Sequence, residues 1–293
     1  MSILVIGSTG NIGSKVVHEL SLRGAKVRAL IHKSKKADFP AGVTPVKGDV
    51  TDMESMRKAL SGIDTLFLLN PVVPDELNRA LLTLNLAIEA RIKRIVYFSM
   101  FHADVFLDCP HACAKYATEL MIERFGIPAT ILRPNYFFQN DGQPVLEHGS
   151  YPMPIGSLGT SMVDARDIAE VAALSLIKRD KAPEPLPSET IEIHGPDVVT
   201  SDSAVALWSA VLGRKVTYPG DDLHAFEKQL TSKMPSAMAY DVAGMFRGFQ
   251  RDGMVATPGA VDRVVKLLGR PLRTYRSYAE ETKSQGQELP LAV

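Results

Sequence analysis

The segment that decides the fold class lies at the start of the chain and reads Ile3-Leu4-Val5-Ile6-Gly7-Ser8-Thr9-Gly10-Asn11-Ile12-Gly13. Its first four residues are all apolar, which predicts a strand that is buried on both faces of a sheet. Three glycines follow, and apolar residues then recur at helical spacing at Val16, Val17 and Leu20. A strand, a glycine turn and a helix in this order predict a turn that binds phosphate groups at a helix N-terminus.

The three glycines have separate expected roles. A side chain at Gly7 or Gly10 would block a pyrophosphate, and one at Gly13 would push the helix away from the strand. The spacing is Gly-x-x-Gly-x-x-Gly, and a tight turn without a ligand is the other interpretation. We expect a dinucleotide to bind at Gly7, Thr9, Gly10, Asn11, Ile12 and Gly13.

The first half of the chain alternates strand and helix patterns with short connections. This alternation predicts an α/β fold with a doubly wound, parallel, Rossmann-type sheet. The regularity ends after residue 134: residues 142–159 are rich in Gly and Pro and predict loops or short edge strands. Mostly helical patterns follow, and the polar stretch from residue 277 is expected to be loosely held. The predicted domains are a dinucleotide-binding domain over 1–134 and a smaller lobe over 135–293, with a return of 160–195 to the core left open.

The residues after the second strand favour one dinucleotide over another. An acidic residue there would accept a hydrogen bond from the ribose of NAD, whereas a cation favours the 2′-phosphate of NADP. Here His32 and Lys33 begin a basic stretch with no acid before Asp38, so NADP(H) is preferred and NAD(H) stays open. Asp49 and Val50, after the third strand, are expected to flank the adenine; a simple turn role for Asp49 is the alternative.

Composition excludes several classes of protein. The 293 residues carry 33 basic and 33 acidic side chains, so the chain lacks the positive charge expected of a nucleic-acid binder. No apolar run approaches the length that spans a bilayer, and no basic region precedes the first strand as in a secretory signal. Two cysteines exclude a disulfide scaffold. We therefore expect a cytoplasmic protein without direct nucleic-acid or membrane partners.

Several motifs, taken in order, resemble the NmrA-like branch of the atypical short-chain dehydrogenases/reductases, over about residues 1 to 275. They are the glycine turn, Gly48-Asp49, Asn70-Pro71, Ser99, His111-x-x-x-Lys115-x-x-x-Glu119, Arg133-Pro134-Asn135 and Val163-Asp164-x-x-Asp167. The resemblance implies an NAD(P)(H)-binding core, a small C-terminal lobe and a cleft between them. Members of this group reduce quinones, dyes and phenolic substrates, or sense the dinucleotide without turning it over.

Residues at the carboxyl ends of later strands are candidates for the nicotinamide side of the site. Asn70 and Pro71 end the fourth strand, where ligands bind in such sheets. The resemblance implies that Pro134 and Asn135 meet the carboxamide from the other side. Aromatic candidates for a substrate wall, or alternatively for core packing, are Phe101, Tyr136 and Phe137.

The superfamily places Tyr and Lys one turn apart on one helix face, and this chain departs from that pattern. Lys115 matches the lysine, but His111 stands in the place of the tyrosine. The resemblance implies that Lys115 binds the nicotinamide ribose; an exposed helix lysine is the alternative. His111 is expected either to donate a proton or to cap its helix. Ser99 either hydrogen-bonds a ligand or simply ends its strand.

Two functions are compatible with these residues. The first is an NADPH-dependent oxidoreductase acting on a small quinone-like, aromatic or carbonyl substrate, with Lys115, His111 and Ser99 as catalytic candidates. The alternative is a non-catalytic redox sensor that binds NAD(P)(H). Cys109 and Cys113 give too few ligands for a structural zinc site, so no metal is expected. A homodimer and, for a sensor, a protein partner both stay open.

Overall fold

The structure, a computed structural model, describes residues 2–32 and 38–288. The predicted cofactor residue Lys33 lies outside the described residues. The chain forms two units, one comprising Met1–Pro134 and Ile168–Ile191, the other Asn135–Asp167 and Glu192–Val293. Over the described ranges, no helix is long and apolar enough to cross a membrane.

A seven-stranded sheet organises the first unit, with its strands in the order β3-β2-β1-β4-β5-β6-β7. The strands are β1 (Ile3–Val5), β2 (Val27–Ile31), β3 (Val43–Lys47), β4 (Thr65–Leu68), β5 (Arg94–Phe98), β6 (Ala129–Pro134) and β7 (Glu189–Ile193). Ile3 pairs in parallel with Val27 of β2 on one side and with Thr65 of β4 on the other. The predicted doubly wound parallel sheet is therefore confirmed.

The strand order reverses direction between β1 and β4, and this topology positions the candidate site. In an open parallel sheet, ligands bind outside the carboxyl ends of the strands where the order reverses. The glycine turn follows β1, and Asn70 follows β4. Both sequence motifs therefore lie at the reversal point of the sheet.

The helices follow the strands in the alternation that the sequence predicts. They are α1 (Asn11–Leu22), α2 (Met53–Leu60), α3 (Glu76–Glu89), α4 (Pro110–Arg124), α5 (Gly142–His148), α6 (Ala165–Lys181), α7 (Ser201–Leu212), α8 (Leu223–Leu230), α9 (Ser236–Asp252), α10 (Ala260–Leu268) and α11 (Tyr275–Glu288). The central strands are buried on both faces: Leu4 and its partner Leu66 lie on one face, Val5 and its partner Phe67 lie on the other, and all four are 0% exposed. Helices α7 to α11 make the second unit mostly helical, as predicted.

Two local predictions for the second unit need correction. Residues 142–159 predict loops or short edge strands, but the first seven of them form helix α5, which Gly149 ends in the left-handed conformation (φ 62°). Residues 149–159 form loops with an isolated bridge at Ser150, as predicted. Helix α11 occupies the polar stretch from residue 277. Its apolar face is short but regular: Tyr275, Tyr278 and Ala279 follow at helical spacing and are all buried. The sequence does not show this face clearly, because charged residues lie between and after its apolar residues.

Buried Arg179 fixes the Pro-rich connection between α6 and β7. Its Nη1 donates to the carbonyl of Leu186 at 3.0 Å and its Nη2 to that of Pro187 at 2.8 Å. Its Nε donates to Thr130 Oγ1, at 2.6 Å, on β6. The prolines of this segment have no backbone N–H groups to donate. The guanidinium donates to the carbonyls of the segment and so connects it to the sheet.

Candidate cofactor site

Two glycines of the turn, Gly7 and Gly13, leave no room for a side chain. Gly7 has φ 74°, in the left-handed region, and a Cβ there would lie 2.6 Å from Leu69 Cδ2. A Cβ on Gly13 would lie 2.1 Å from the carbonyl oxygen of Gly7. A Cβ on Gly10 would meet the same oxygen at 3.3 Å, a tight but tolerable contact. Gly13 therefore sets the approach of α1 to the turn, and Gly7 sets the turn itself.

The N-terminus of α1 presents amide groups at the exposed residues of the turn. Gly10 is the N-cap, and over the described residues no side chain caps it. The first amides of a helix lack intrahelical partners, and they lie at the positive end of the helix dipole. Lys15 Nζ donates to Asn11 Oδ1 at 2.7 Å and so brings an ammonium to the helix start. The sequence reasoning missed Lys15, although its position four residues after Asn11 could have indicated it.

His32 and Asp49 meet at the ends of β2 and β3. His32 Nε2 lies 3.2 Å from Asp49 Oδ2, and Thr51 donates to Asp49 Oδ1 through its amide (2.9 Å) and its hydroxyl (2.7 Å). The hydrogen bonds from Thr51, supported by His32, hold the pKa of Asp49 below its ordinary value. The Asp49 carboxylate therefore stabilises the turn at residues 49–51 by accepting from Thr51. Its contact with an adenine stays a prediction. Val50, next to Asp49, packs half-buried against the core.

Asn70, two residues after the end of β4, has a buried side-chain amide that makes no hydrogen bond within the described part of the chain. Its residue is 6% exposed, and neither Nδ2 nor Oδ1 has a hydrogen-bond partner in the part of the chain that the structure describes. A buried polar group without a hydrogen bond costs about 1–3 kcal/mol. A ligand that offers one donor and one acceptor would recover that cost, and a nicotinamide carboxamide offers both. Pro71, the next residue, is exposed.

Lys115 is a buried member of an ion pair. Its Nζ donates to Glu76 Oε1 at 2.7 Å, and the two side chains are 7% and 4% exposed. The alternative of an exposed helix lysine is therefore wrong. Glu76 is the first residue of α3 and was missed by the sequence reasoning, because an acid in a first helical turn is common without any site.

His111 lies on α4 one turn before Lys115 and is 7% exposed. Its Nδ1 is 3.3 Å from the sulfur of Cys109, which is the N-cap residue of α4. The N-cap position thus belongs to Cys109, and the helix-capping role for His111 is wrong. The four-residue spacing places His111 and Lys115 on one face of the helix.

Ser99 belongs to a polar network at the end of β5. Its hydroxyl donates to Glu119 in a very short hydrogen bond, and Glu119 also accepts from Arg133 Nη2 at 2.6 Å. Arg133 Nη1 donates to Asp104 Oδ2 at 2.9 Å. Burial opposes the charge of Arg133, but Glu119 and Asp104 raise its pKa above the ordinary value. The Ser99 hydroxyl is directed into this network, and its catalytic use stays a prediction.

Tyr97 on β5 does not replace the missing catalytic tyrosine. It is 1% exposed and belongs to the hydrophobic core of the first unit. Burial raises the pKa of its phenol far above the ordinary value, and the negative charges of Glu76 and Glu119 raise it further. The phenol is therefore a weaker acid than that of an ordinary tyrosine.

The remaining candidates are mostly packed. Phe101 is 2% exposed, stacks on His102 with ring centroids 3.9 Å apart, and donates its amide to the carbonyl of Pro134 at 2.9 Å. In the second unit, Asn135 Nδ2 donates to the carbonyl of Met254 at 2.7 Å. Substrate contact by Phe101 and cofactor contact by Pro134 and Asn135 stay predictions.

Two aromatic candidates follow in the second unit. Tyr136 is 7% exposed and makes edge-to-face contacts with Phe246 and Phe249, with ring centroids 5.9 Å and 5.7 Å apart. Core packing is thus what the structure shows for Tyr136, while Phe137 is half-buried and pairs with Val163 in an isolated bridge.

Comparison with known proteins gives a consistent result. The model of the NmrA-like family matches residues 1–280. An NAD(P)H azoreductase of Xenophilus azovorans is 30% identical over 286 residues, which cover 95% of this chain and 96% of the relative. An NADPH-dependent quinone oxidoreductase of Escherichia coli, solved with NADPH, has a TM-score of 0.81 at 24% identity and covers 96% of this chain and 99% of its own. A triphenylmethane reductase of Citrobacter sp. has a TM-score of 0.83 at 22% identity, over 97% and 100% of the two chains. The two structural likenesses establish the fold.

Proposed function

The chain belongs to the NmrA-like family, and from this premise we propose that it is an NADPH-dependent reductase of small quinone-like or aromatic substrates. The observation that carries the proposal is the glycine turn, where α1 begins uncapped over a backbone too close for any side chain at Gly13. The azoreductase relative supports an aromatic substrate, because it matches this chain over nearly its whole length. The cytoplasmic location stays a prediction.

The residues of the first unit divide the binding of a dinucleotide among them. The amides at the start of α1, with Lys15 beside them, bind the phosphates. Asn70 supplies a donor and an acceptor to the carboxamide, and Lys115 donates to the nicotinamide ribose. The chemistry that NADPH supplies when bound is delivery of a hydride. In this proposal His111 carries the proton that the reduced substrate takes up.

Cofactor binding is the first prediction and is tested by calorimetric titration with NADPH, NADP⁺, NADH and NAD⁺. We expect NADPH to bind much more tightly than NADH, because no acidic residue stands between the end of β2 and Asp38, while a basic stretch begins at His32. Protein that binds none of the four would overturn the proposal. Equal affinity for NADPH and NADH would contradict the NADP preference alone.

Turnover is the second prediction and concerns His111. We expect His111→Ala to lower the rate of NADPH oxidation with a quinone or azo dye by about 100-fold, the usual contribution of a positioned general acid. Affinity for NADPH should change little. His224→Ala, which alters an exposed histidine on α8, is the matched control and should leave both quantities unchanged. An unchanged rate in His111→Ala would remove this residue from the mechanism.

The alternative function is a dinucleotide-binding redox sensor. The absence of tyrosine at position 111 favours it. A protein that binds NADPH but reduces no quinone, azo dye or triphenylmethane dye would support the sensor. Its oligomeric state should then differ between NADP⁺ and NADPH, as measured by analytical ultracentrifugation.

A further inference from the structure

The Glu76–Lys115 pair joins α3 to α4 deep in the first unit. Both side chains are more than nine-tenths buried, and the Nζ to Oε1 distance is 2.7 Å. Buried ion pairs are poor devices for stability alone, since an apolar pair of similar volume often stabilises a protein equally well. The pair therefore calls for a reason beyond the packing of two helices.

The second oxygen of Glu76 supplies that reason. Oε2 is buried and has no hydrogen-bond partner among residues 2–32 and 38–288. Asn70, six residues earlier in the same connection, leaves both of its side-chain polar atoms in the same condition. One short segment thus contains three buried polar atoms without a hydrogen-bond partner among the described residues: Asn70 Nδ2, Asn70 Oδ1 and Glu76 Oε2. An unsatisfied buried oxygen of a carboxylate is especially costly, so a donor from a ligand is the natural complement.

The chemistry of the pair defines that ligand. Lys115 offers only donors, whereas Glu76 Oε2, as part of an ionised carboxylate, only accepts. A vicinal diol matches both, because one hydroxyl can accept from the ammonium while the other donates to the carboxylate. The nicotinamide ribose of a dinucleotide carries such a diol.

We propose that Glu76 is a positioning residue for the cofactor, which fixes the Lys115 ammonium through Oε1 and accepts a hydrogen bond from the nicotinamide-ribose diol through Oε2. This inference rests on the proposed function, since it assumes a bound dinucleotide. It adds a residue that the sequence motifs do not contain. A purely structural clamp between α3 and α4 is the competing explanation.

The test compares two ligands in calorimetric titrations of the full chain. NADPH contains the nicotinamide ribose, whereas adenosine 2′,5′-bisphosphate lacks it and reports only on the adenine side. For Glu76→Gln we expect the Kd of NADPH to rise about 30-fold or more, because a charge-assisted hydrogen bond is lost and Lys115 is left without its counter-charge. The Kd of the bisphosphate should stay within about twofold of the wild-type value. Glu54→Gln, which breaks the exposed pair with Lys58, is the matched control and should change neither.

A double-mutant cycle separates direct contact from action through the lysine. If Oε2 contacts the ribose, Glu76→Gln combined with Lys115→Met should bind NADPH about tenfold more weakly than Lys115→Met alone. Equal affinity of these two proteins would overturn the direct contact. Should Glu76→Gln fail to fold, Glu76→Leu combined with Lys115→Met replaces the buried pair by apolar groups and allows the same comparison.

The outcomes also distinguish this inference from the proposed function. Wild-type protein that binds neither NADPH nor the bisphosphate removes the proposed function and the inference with it. Wild-type protein that binds both, with Glu76→Gln binding NADPH equally well, leaves the proposed function standing and overturns the role of Glu76.

Discussion

Gly13→Ala is expected to destabilise the first unit by about 3 kcal/mol or more, because an inserted methyl group has no space and the backbone must move. The Cβ would lie 2.1 Å from the Gly7 oxygen and 2.6 Å from the Gly7 carbonyl carbon. Neither atom belongs to a flexible side chain, so α1 must shift away from β1. The same shift would displace the amides that we assign to the phosphates, and NADPH binding should be lost together with stability. Urea unfolding and calorimetric titration measure the two effects.

Gly10→Ala is the matched control for this substitution. Its Cβ would meet the Gly7 oxygen at 3.3 Å, and its φ of −82° is open to any residue. Stability should therefore fall by no more than about 1 kcal/mol, while NADPH affinity should drop at least about tenfold, because the methyl group occupies the surface of the turn where a pyrophosphate approaches. A Gly13→Ala protein as stable as wild type would contradict the close approach of α1 to the turn. Unchanged NADPH affinity in Gly10→Ala would move the phosphates away from it.

The elements that could be predicted from the sequence are those governed by neighbours along the chain. The glycine turn can be predicted because Gly7 and Gly13 lie within one strand–turn–helix unit, where the spacing of residues along the chain determines which of them are in contact. Helix α7 (Ser201–Leu212) has local signals of the same kind, because the Thr200 side chain caps its start and Gly213 follows its end in the left-handed conformation. Local caps and periodicity carry this information with no knowledge of the tertiary fold.

The contacts that the sequence could not indicate join distant residues. Glu76 and Lys115 are 39 positions apart, and Tyr275 reaches Asp141 across 134 positions. Neither acid stands out in the sequence, because a charged residue in a helical turn or a loop is ordinarily solvated. Only the packing of α3 on α4, or of α11 within the second unit, buries them. The start of α2 shows the same limit at short range. Thr51 and Glu54 have the spacing of a capping box, but Asp52 caps this helix and the Thr51 hydroxyl donates to Asp49.

The contribution of Asp141 to the free energy of unfolding should decrease as the pH rises towards neutrality. The residue is fully buried, and its Oδ2 accepts from the hydroxyls of Tyr275 at 2.6 Å and Tyr151 at 3.1 Å. Burial raises the pKa of this carboxyl from 3.8 to about 7, against the lowering effect of hydrogen bonds from Tyr275, Tyr151 and Tyr136. Tyr275 in turn accepts from Trp208 Nε1 at 2.8 Å. Among the residues that the structure describes, the groups acting on this carboxyl are thus neutral tyrosine hydroxyls.

The raised pKa fixes the direction of the pH effect. Between about pH 4 and pH 7 the folded protein keeps a proton on Asp141 that the unfolded chain releases, so each rise in pH favours unfolding. Asp141→Asn removes this titration while its amide oxygen can still accept from Tyr275 and Tyr151. The free energy of unfolding of wild type, relative to that of Asp141→Asn, should therefore fall by about 3 kcal/mol between about pH 5 and pH 8. Urea unfolding of both proteins across this range measures the difference.

A second buried aspartate provides a control of opposite sign. Asp164 pairs with Arg166 at 2.7 Å, and although burial raises its pKa, the hydrogen bonds and charge of Arg166 bring that pKa below the ordinary value. Its contribution to stability is present above the pKa of an unfolded aspartate and is lost on acidification. Asp164→Asn should therefore be less stable than wild type at neutral pH, and the deficit should shrink as the pH falls. The difference in free energy of unfolding between wild type and Asp141→Asn could instead be the same at every pH. The pKa of Asp141 would then be equal in the folded and unfolded states, and the aromatic cluster would stabilise the charged carboxylate in spite of burial.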